Sequence, residues 1–534
     1  MNKYSLLQWE RLNHIPAVPK ILQDPHLITA VPDGQPSKTK RPEITELFPF
    51  TSQLPPLAFI KKEGQTHRPL RIGVVFSGGQ ASGGHNVIWG LLSALKSLHP
   101  HSALFGFCDG PVGILNQSYV EITNDSIKPY RNQGGFDLIG SGRDKIATNE
   151  QLQLAEQTMN VLHLDGLVII GGDDSNTNAA ILSEYFKKHK CPTSVIGVPK
   201  TIDGDLKNGD IEISFGFDTA AKVYCEIIGN LARDALSAKK CYFFVKLMGR
   251  SASHLVLECA LQTHVNMALI SEEVEAKQLS LQQIVDSICD MIIQRSAKGK
   301  NYGVVLIPEG LIEFIPEMNQ LIRELNQCYA EQVLLEQIEQ KLTQESKRCF
   351  KSLPEKIQKQ LLLIRDPHGN LQVSKIETER LLIEMVEKEL ASRKFSKFSP
   401  QPFFCGYEGR SGLPSLFDSQ YCYALGNTAA VLLQSGVSGY ISCIKNLAKP
   451  VETWEPCGIP LTSMLKLEYR NGSYKPVIEK ALVDLKGATF AEFEALREEW
   501  LLADDYLYPG PIQFFGPEVL TNSITRTLFL GMNA

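Results

Sequence analysis

Five short apolar runs, each halted by a glycine-rich or charged motif, constrain this chain more than any other feature. RIGVVF (71–76) stops at Ser77-Gly78-Gly79, and LDGLVII (164–170) at Gly171-Gly172-Asp173-Asp174. TSVIGV (193–198) stops at Pro199-Lys200-Thr201, CYFFVKL (241–247) at Met248-Gly249-Arg250, and YGVVLI (302–307) at Pro308-Glu309-Gly310. Each run is rich in β-branched or aromatic residues and apolar on both alternations, the pattern of a strand covered on both faces. Stretches with helical spacing, 86–98, 149–162, 176–189 and 218–236, separate most of them. Strands alternating with helices give a parallel α/β sheet. In such a sheet the motifs that follow the strands share the carboxyl edge, where ligands bind.

Composition bounds what that edge serves. At about 150 residues per domain, 534 residues make three to four domain-sized units. Hydrophobic residues at 43% and charged residues at 21% exclude a disordered chain. Lys+Arg 54 against Asp+Glu 59 leaves a net charge of -5, which excludes a strongly basic coat for nucleic acid. No apolar stretch nears the roughly 18 residues of a membrane span. The opening MNKYSLLQWERLNHIPAVPK lacks the long apolar core and cleavage site of a secretory signal. Twelve cysteines without a C-x-x-C read as buried thiols of a reducing compartment, neither a disulfide framework nor a zinc site. The expectation is a cytoplasmic protein with no nucleic-acid or membrane partner.

Ten of the 29 prolines fall in residues 1–70, which are read as an extended arm with short helical pieces wrapped on the body or a partner subunit. Residues 71–235 form a first α/β domain, and 236–310 with 405–440 a second. Between them, 311–404 contains a single glycine, Gly369, in the turn-like Asp366-Pro367-His368-Gly369-Asn370. The rest of that stretch has helical spacing with Glu and Lys on the polar face, and is read as a helical insertion of structural role. Residues 441–534 are expected to pack on the body as a mixed tail.

Four motif groups carry chemistry. FSGGQASGGHN places glycines 78, 79, 83 and 84 between a strand and a helix, where backbone N–H groups can approach an anion; alone, it is equally a tight strand-to-helix turn. It matches neither of the two common nucleotide fingerprints. In Gly171-Gly172-Asp173-Asp174-Ser175, adjacent carboxylates need a cation or a basic partner. A helix N-cap by Asp174 or Ser175 would explain only one of them, so Asp173 is read as a magnesium ligand. Pro199-Lys200-Thr201-Ile202-Asp203-Gly204-Asp205 combines a cation with carboxylates, as phosphoryl transfer requires. A solvated salt-bridge loop is the plainer alternative. Met248-Gly249-Arg250, Glu309 and Gly406-Tyr407-Glu408-Gly409-Arg410 suit a sugar phosphate, since arginine grips phosphate and carboxylate accepts from hydroxyls. Each could equally be a structural ion pair.

In this order, GG…GGHN, GGDDS, PKTIDGD, MGR, PEG and GYEGRSGLPSLFD resemble the phosphofructokinase family, specifically its long pyrophosphate-dependent branch, over about residues 71–440. The resemblance implies an α/β fold of two Rossmann-like parallel-sheet domains with a helical insertion and a proline-rich N-terminal arm. It implies reversible, magnesium-dependent transfer of phosphate from pyrophosphate to the 1-hydroxyl of fructose 6-phosphate. Gly78, with Gly79 and Arg143, would contact pyrophosphate, and Asp173 would hold magnesium. Asp203 would be the general base, with Thr201, Ile202 and Asp205 around it. Met248, Gly249, Arg250, Glu309, Tyr407, Glu408, Gly409 and Arg410 would cradle the sugar phosphate. Lys240 and Cys241 occupy positions where the family borrows contacts from a neighbouring subunit, which implies at least a homodimer with shared sites.

ATP-dependent relatives typically carry glycine where this chain has Asp174 and Lys200. An aspartate fills and charges the space of a nucleotide's α-phosphate, and a lysine serves the small donor, so the pair is expected to select pyrophosphate. Ser82 stands where the family loop usually has proline, which predicts altered loop rigidity. The rivals are an ATP-dependent phosphofructokinase, opposed by Asp174 and Lys200, and a non-catalytic regulatory subunit, opposed by Asp173, Asp203 and Arg410. NAD and lipid kinases share a GGDG-like turn but are not expected to carry TIDGD with GYEGR, and a dehydrogenase would need a different glycine fingerprint.

Overall fold

A computed structural model describes residues 4–35, 41–365, 370–470 and 473–531. Eight strands precede residue 217: β1 (Ile28–Pro32), β2 (Leu57–Lys61), β3 (Arg71–Ser77), β4 (Ala103–Phe107), β5 (Tyr119–Ile122), β6 (Gly166–Gly171), β7 (Ser194–Thr201) and β8 (Phe215–Gly216). Four follow in the second half: β9 (Cys241–Leu247), β10 (Met267–Ala268), β11 (Tyr302–Pro308) and β12 (Pro400–Cys405). The tail supplies β13 (Tyr440–Lys445), β14 (Glu455–Pro460) and a hairpin of β15 (Leu465–Arg470) and β16 (Ser473–Ile478).

The larger sheet runs β1-β2-β14-β13-β7-β6-β3-β4-β5, with β8 beside β7, and its centre, β13-β7-β6-β3-β4, is parallel. The smaller, all-parallel sheet runs β10-β11-β9-β12. Alternate residues of the central strands feed different cores, which explains runs apolar on both alternations. Val74, Val168 and Val198 pack with the helices Gly84–Leu98 and Leu416–Gln434, while Val75, Leu167 and Val195 pack with Asn149–Val161 and Asp173–Lys188. A third core joins the smaller sheet to the insertion helices.

Register sets the site. Ser77 pairs with Gly171, and Gly171 with Pro199, so β3 and β6 end level and β7 runs two residues past them to Thr201. At roughly 4.8 Å between strands, Gly78, Asp173 and Lys200 are therefore neighbours. In the smaller sheet Leu247 pairs with both Pro308 and Cys405, which aligns Met248, Glu309 and Gly406.

Three expected boundaries change. The 1–70 arm contributes the antiparallel edge pair β1–β2, because its prolines bound those strands and Pro32 sits in the outermost one, where a missing N–H costs nothing. The 405–440 segment divides: helix Leu416–Gln434 packs on Gly84–Leu98 and leads into β13, which pairs with β7 in the first domain. The insertion ends before residue 400, since PQPFFC is the edge strand β12; its two prolines hid a strand that only an edge tolerates. Of the expected turn at 366–370, Asp366 to Gly369 lie outside the described residues.

Candidate active site

Between the carboxyl edges of the two sheets lies a crevice of about 910 Å³. Gly78, Gly79, Arg143, Asp173, Asp174, Lys200, Thr201, Asp203 and Asp205 form one wall, and Met248, Arg250, Glu309, Tyr407 and Arg410 the other.

On the first wall, Gly78 has φ +89 and Gly79 comes close to two arginines: a Cβ at 79 would lie 3.1 Å from Arg410 Nη1 and 3.8 Å from Arg143 Nη2. A Cβ at 78 would lie 3.3 Å from Lys200 Nζ. The Gly78 amide donates to the Gly142 carbonyl (2.8 Å), so this glycine serves the site by its small size and not by offering that N–H. Gly83 and Gly84 do not line the crevice; side chains there would strike Cys422 and Phe136. Ser82 is fully buried and its hydroxyl donates to the Gly412 carbonyl (2.8 Å), tying this loop to the opposite wall.

Helix Asp173–Lys188 begins at the paired aspartates, with Gly172 as N-cap and no side-chain cap, so neither Asp174 nor Ser175 is spent on capping. The positive end of the helix favours both acids. Asp174 faces the crevice and pairs with Lys145 Nζ at 3.0 Å.

Lys200 lies on β7 and is nearly buried; burial, then the Arg410 guanidinium, push its ammonium down to about 8. Thr201 Oγ1 accepts from the Asp203 amide (3.1 Å) and donates to Asp205 Oδ1 (3.1 Å), which fixes the turn. Burial, then the charge of Asp203, raise the Asp205 carboxyl to about 6. Asp203 Oδ1 is buried without a hydrogen-bond partner among the described residues, and Arg410 Nη2 stands 4.0 Å away. An unpaired buried acceptor is costly, and a substrate hydroxyl would satisfy it. Lys200, Asp203 and Arg410 thus meet in one crevice.

On the second wall, Glu309 is buried; burial, then Asp203, raise its carboxyl to about 7. Gly249 has φ +119, which turns the chain between Met248 and Arg250. Six expected residues, Ile202, Lys240, Cys241, Gly249, Glu408 and Gly409, do not line the crevice. Ile202 points into the core, Gly409 packs under the Tyr224 ring, and Glu408 accepts from the Gly406 amide (2.9 Å). Cys241 opens β9 at the edge opposite Met248, with Lys240 just before it. Short motifs invite assigning every member to ligand, whereas the backbone turns some inward.

Several lining residues escaped the sequence reading. Lys246 hides inside CYFFVKL, where a lone charge in a doubly covered strand was the available signal. Its ammonium donates to the Ile376 carbonyl (2.9 Å) and pairs with Glu379 at 3.2 Å. Gln360, Lys375 and Glu377 also line the crevice, so the insertion is part of the site and not merely structural. Lys480, from the tail, had no motif to mark it. Among the described residues no cluster of three His, Cys, Asp or Glu could hold a metal. Magnesium needs no such cage: one or two carboxylates, water and substrate phosphate oxygens suffice. Asp173, which lines the crevice with Gly78 and Lys200, fits that mode.

Residues 71–433 match the family model described as phosphofructokinase. The chain is 51% identical to pyrophosphate–fructose 6-phosphate 1-phosphotransferase subunit beta 2 of Arabidopsis thaliana, covering 99% of this chain and 95% of the relative. It is 49% identical to the pyrophosphate–fructose 6-phosphate 1-phosphotransferase of Porphyromonas gingivalis, covering 99% of each. The crystal structure of a pyrophosphate-dependent phosphofructokinase from Nitrosospira multiformis superposes with a TM-score of 0.56 at 15% identity, covering 86% of this chain and 98% of the other. No helix among the described residues is long and apolar enough to cross a membrane.

Proposed function

The chain belongs to the phosphofructokinase family, and on that premise we propose that its crevice moves phosphate reversibly between pyrophosphate and fructose 6-phosphate. The partnerless Asp203 oxygen beside Arg410 carries this reading. Asp203 takes the proton from the sugar's 1-hydroxyl, the freed oxygen attacks the near phosphorus of pyrophosphate, and the bridging P–O bond breaks. Fructose 1,6-bisphosphate and phosphate result; in reverse Asp203 returns the proton. Lys200 and Arg143 hold the donor's charge, and Arg410 the charge developing between the substrates. Arg250 and Tyr407 take the 6-phosphate end, and Glu309 accepts from sugar hydroxyls. Asp173 would hold magnesium, which would supply charge neutralisation for the transferring phosphoryl group.

We assign donor choice to Asp174 and Lys200, both of which line the crevice. The Asp174 carboxylate is held by Lys145, and its negative charge would oppose a further phosphate of a nucleotide donor. Lys240 and Cys241, far from the crevice of their own chain, are assigned to a neighbouring copy's site, which makes the working unit a homodimer or larger. Twelve unpaired cysteines support a reducing, cytoplasmic setting.

A coupled assay of the purified chain with fructose 6-phosphate and magnesium, given pyrophosphate or ATP in parallel, tests the reading. Turnover is expected with pyrophosphate; turnover with ATP alone overturns it. Asp174→Gly combined with Lys200→Gly is expected to raise the ratio of ATP to pyrophosphate kcat/KM by about tenfold or more.

A further inference from the structure

We propose that Lys480 is the resident cation of the metal seat: a positioning residue that holds Asp173 and Asp205 in place and competes with a divalent ion for Asp173. The inference rests on reading Asp173 as the metal ligand. Lys480 Nζ lies 3.5 Å from Asp173 Oδ2 and 3.7 Å from Asp205 Oδ2, and donates to Ser251 Oγ at 2.7 Å. It is the one ion-pair partner of Asp173 among the described residues. The ammonium is therefore anchored by a neutral hydroxyl, and both carboxylates stand beyond ordinary hydrogen-bond length. A cation held this way balances two acids without capping either, so a stronger ion can take one of them.

The backbone around Lys480 is pinned to the segments whose charges it balances. Just before it, the Ile478 amide donates to Thr177 Oγ1 (3.0 Å), one turn into the helix that starts at Asp173. Just after it, the Ala481 amide donates to the carbonyl of Asp205 itself (2.8 Å). His254 Nε2 donates to the Ala481 carbonyl (3.0 Å), and the Val483 amide to Glu272 (2.9 Å). A tail with no catalytic motif is thus stitched to the acidic edge of the first domain at Thr177 and Asp205, and to the second domain at His254 and Glu272. The need is electrostatic: Asp173, Asp203 and Asp205 converge here, and like charges at close range oppose one another's ionisation. Lysine suits the role as a compact point charge on a flexible stem.

An ordinary tail-docking salt bridge would affect stability and leave metal affinity alone. The test is therefore Mn²⁺ binding to the substrate-free full chain, followed by the electron-spin resonance of free Mn²⁺. Removing a positive charge at this distance, partly screened by solvent, is expected to tighten Mn²⁺ about five- to tenfold in Lys480→Gln. Lys480→Arg is expected to restore the parent affinity. Lys480→Gln is also expected to raise the pyrophosphate KM more than it lowers kcat. Should Lys480→Gln not fold, Lys480→Met tests the same loss of charge. Binding no tighter than in the parent overturns the inference. Adding Asp173→Asn should abolish the gain. A gain that survives that change places the metal elsewhere and sinks the Asp173 assignment itself, whereas an unchanged affinity in Lys480→Gln sinks only the role of Lys480.

Discussion

The two walls of the crevice are built on strand ends, but the first keeps Lys200 and Asp205 buried while the second holds Arg250 and Tyr407 in the open around a buried Glu309. Lys200 and Asp205 are each 5% exposed, whereas Tyr407 is 74% exposed and Arg250 is also exposed. Lys200 belongs to β7 itself, and Asp205 is held by Thr201 and by the tail. Arg250 and Tyr407 stand on turns that leave their strands. A strand residue inherits the rigidity of the sheet, so the donor wall is ordered before ligand arrives. A turn residue gains most of its order from the ligand it grips. The contrast predicts that removing a buried donor-side charge strikes turnover, while removing an exposed sugar-side group strikes binding.

The largest effect is expected from Asp203→Asn, which keeps the shape and removes the proton acceptor. Turnover should fall by about a thousandfold with the circular dichroism spectrum and melting point unchanged. Retained turnover would remove the chemical centre of the comparison. On the other wall, Arg250→Ala should raise the KM for fructose 6-phosphate by about 10- to 100-fold and leave kcat within about threefold. A fall in kcat of equal size would mean that the sugar wall too acts mainly in the transition state.

Lys200 offers a pH readout. Burial and Arg410 lower its pKa, so its charge is complete below about 8 and is lost as pH rises through that value. The kcat/KM for pyrophosphate should therefore decline above about pH 8, and Lys200→Arg should move that decline to higher pH. A profile that Lys200→Arg leaves unmoved would detach this cation from the donor. The smallest effect belongs to Ser82→Ala, which cuts the hydroxyl link between the walls. It should cost about 1 kcal/mol in unfolding free energy and raise the pyrophosphate KM about two- to threefold. Where the missing proline suggested a change in loop rigidity, the hydroxyl supplies a tether of its own.

The central strands were legible because their continuous apolar runs have one stable use, a place between two helix layers. CYFFVKL matches β9 residue for residue, and YGVVLI falls within β11. Strands at the margins were not legible: β1 and β12 contain prolines and β2 follows Pro55-Pro56, which breaks the continuous apolar run that marks the central strands. Within the site, Asp173, Lys200, Asp203 and Arg410 could be picked out because charge at the end of a buried strand is costly without a purpose. Ile202, Glu408 and Gly409 share the same motifs, and only the turn geometry sends them into the core, onto Gly406 and under Tyr224.

The amino-acid order by itself determined the alternation of buried strands and helices, and with it the line of polar motifs along a shared edge. Those properties follow from local period and from the cost of leaving apolar residues in water. The tertiary structure alone decided that an insertion and a tail complete the crevice. Lys246, Glu379 and Lys480 meet the site across long sequence separations, through contacts that have no period and leave no local signature in the chain.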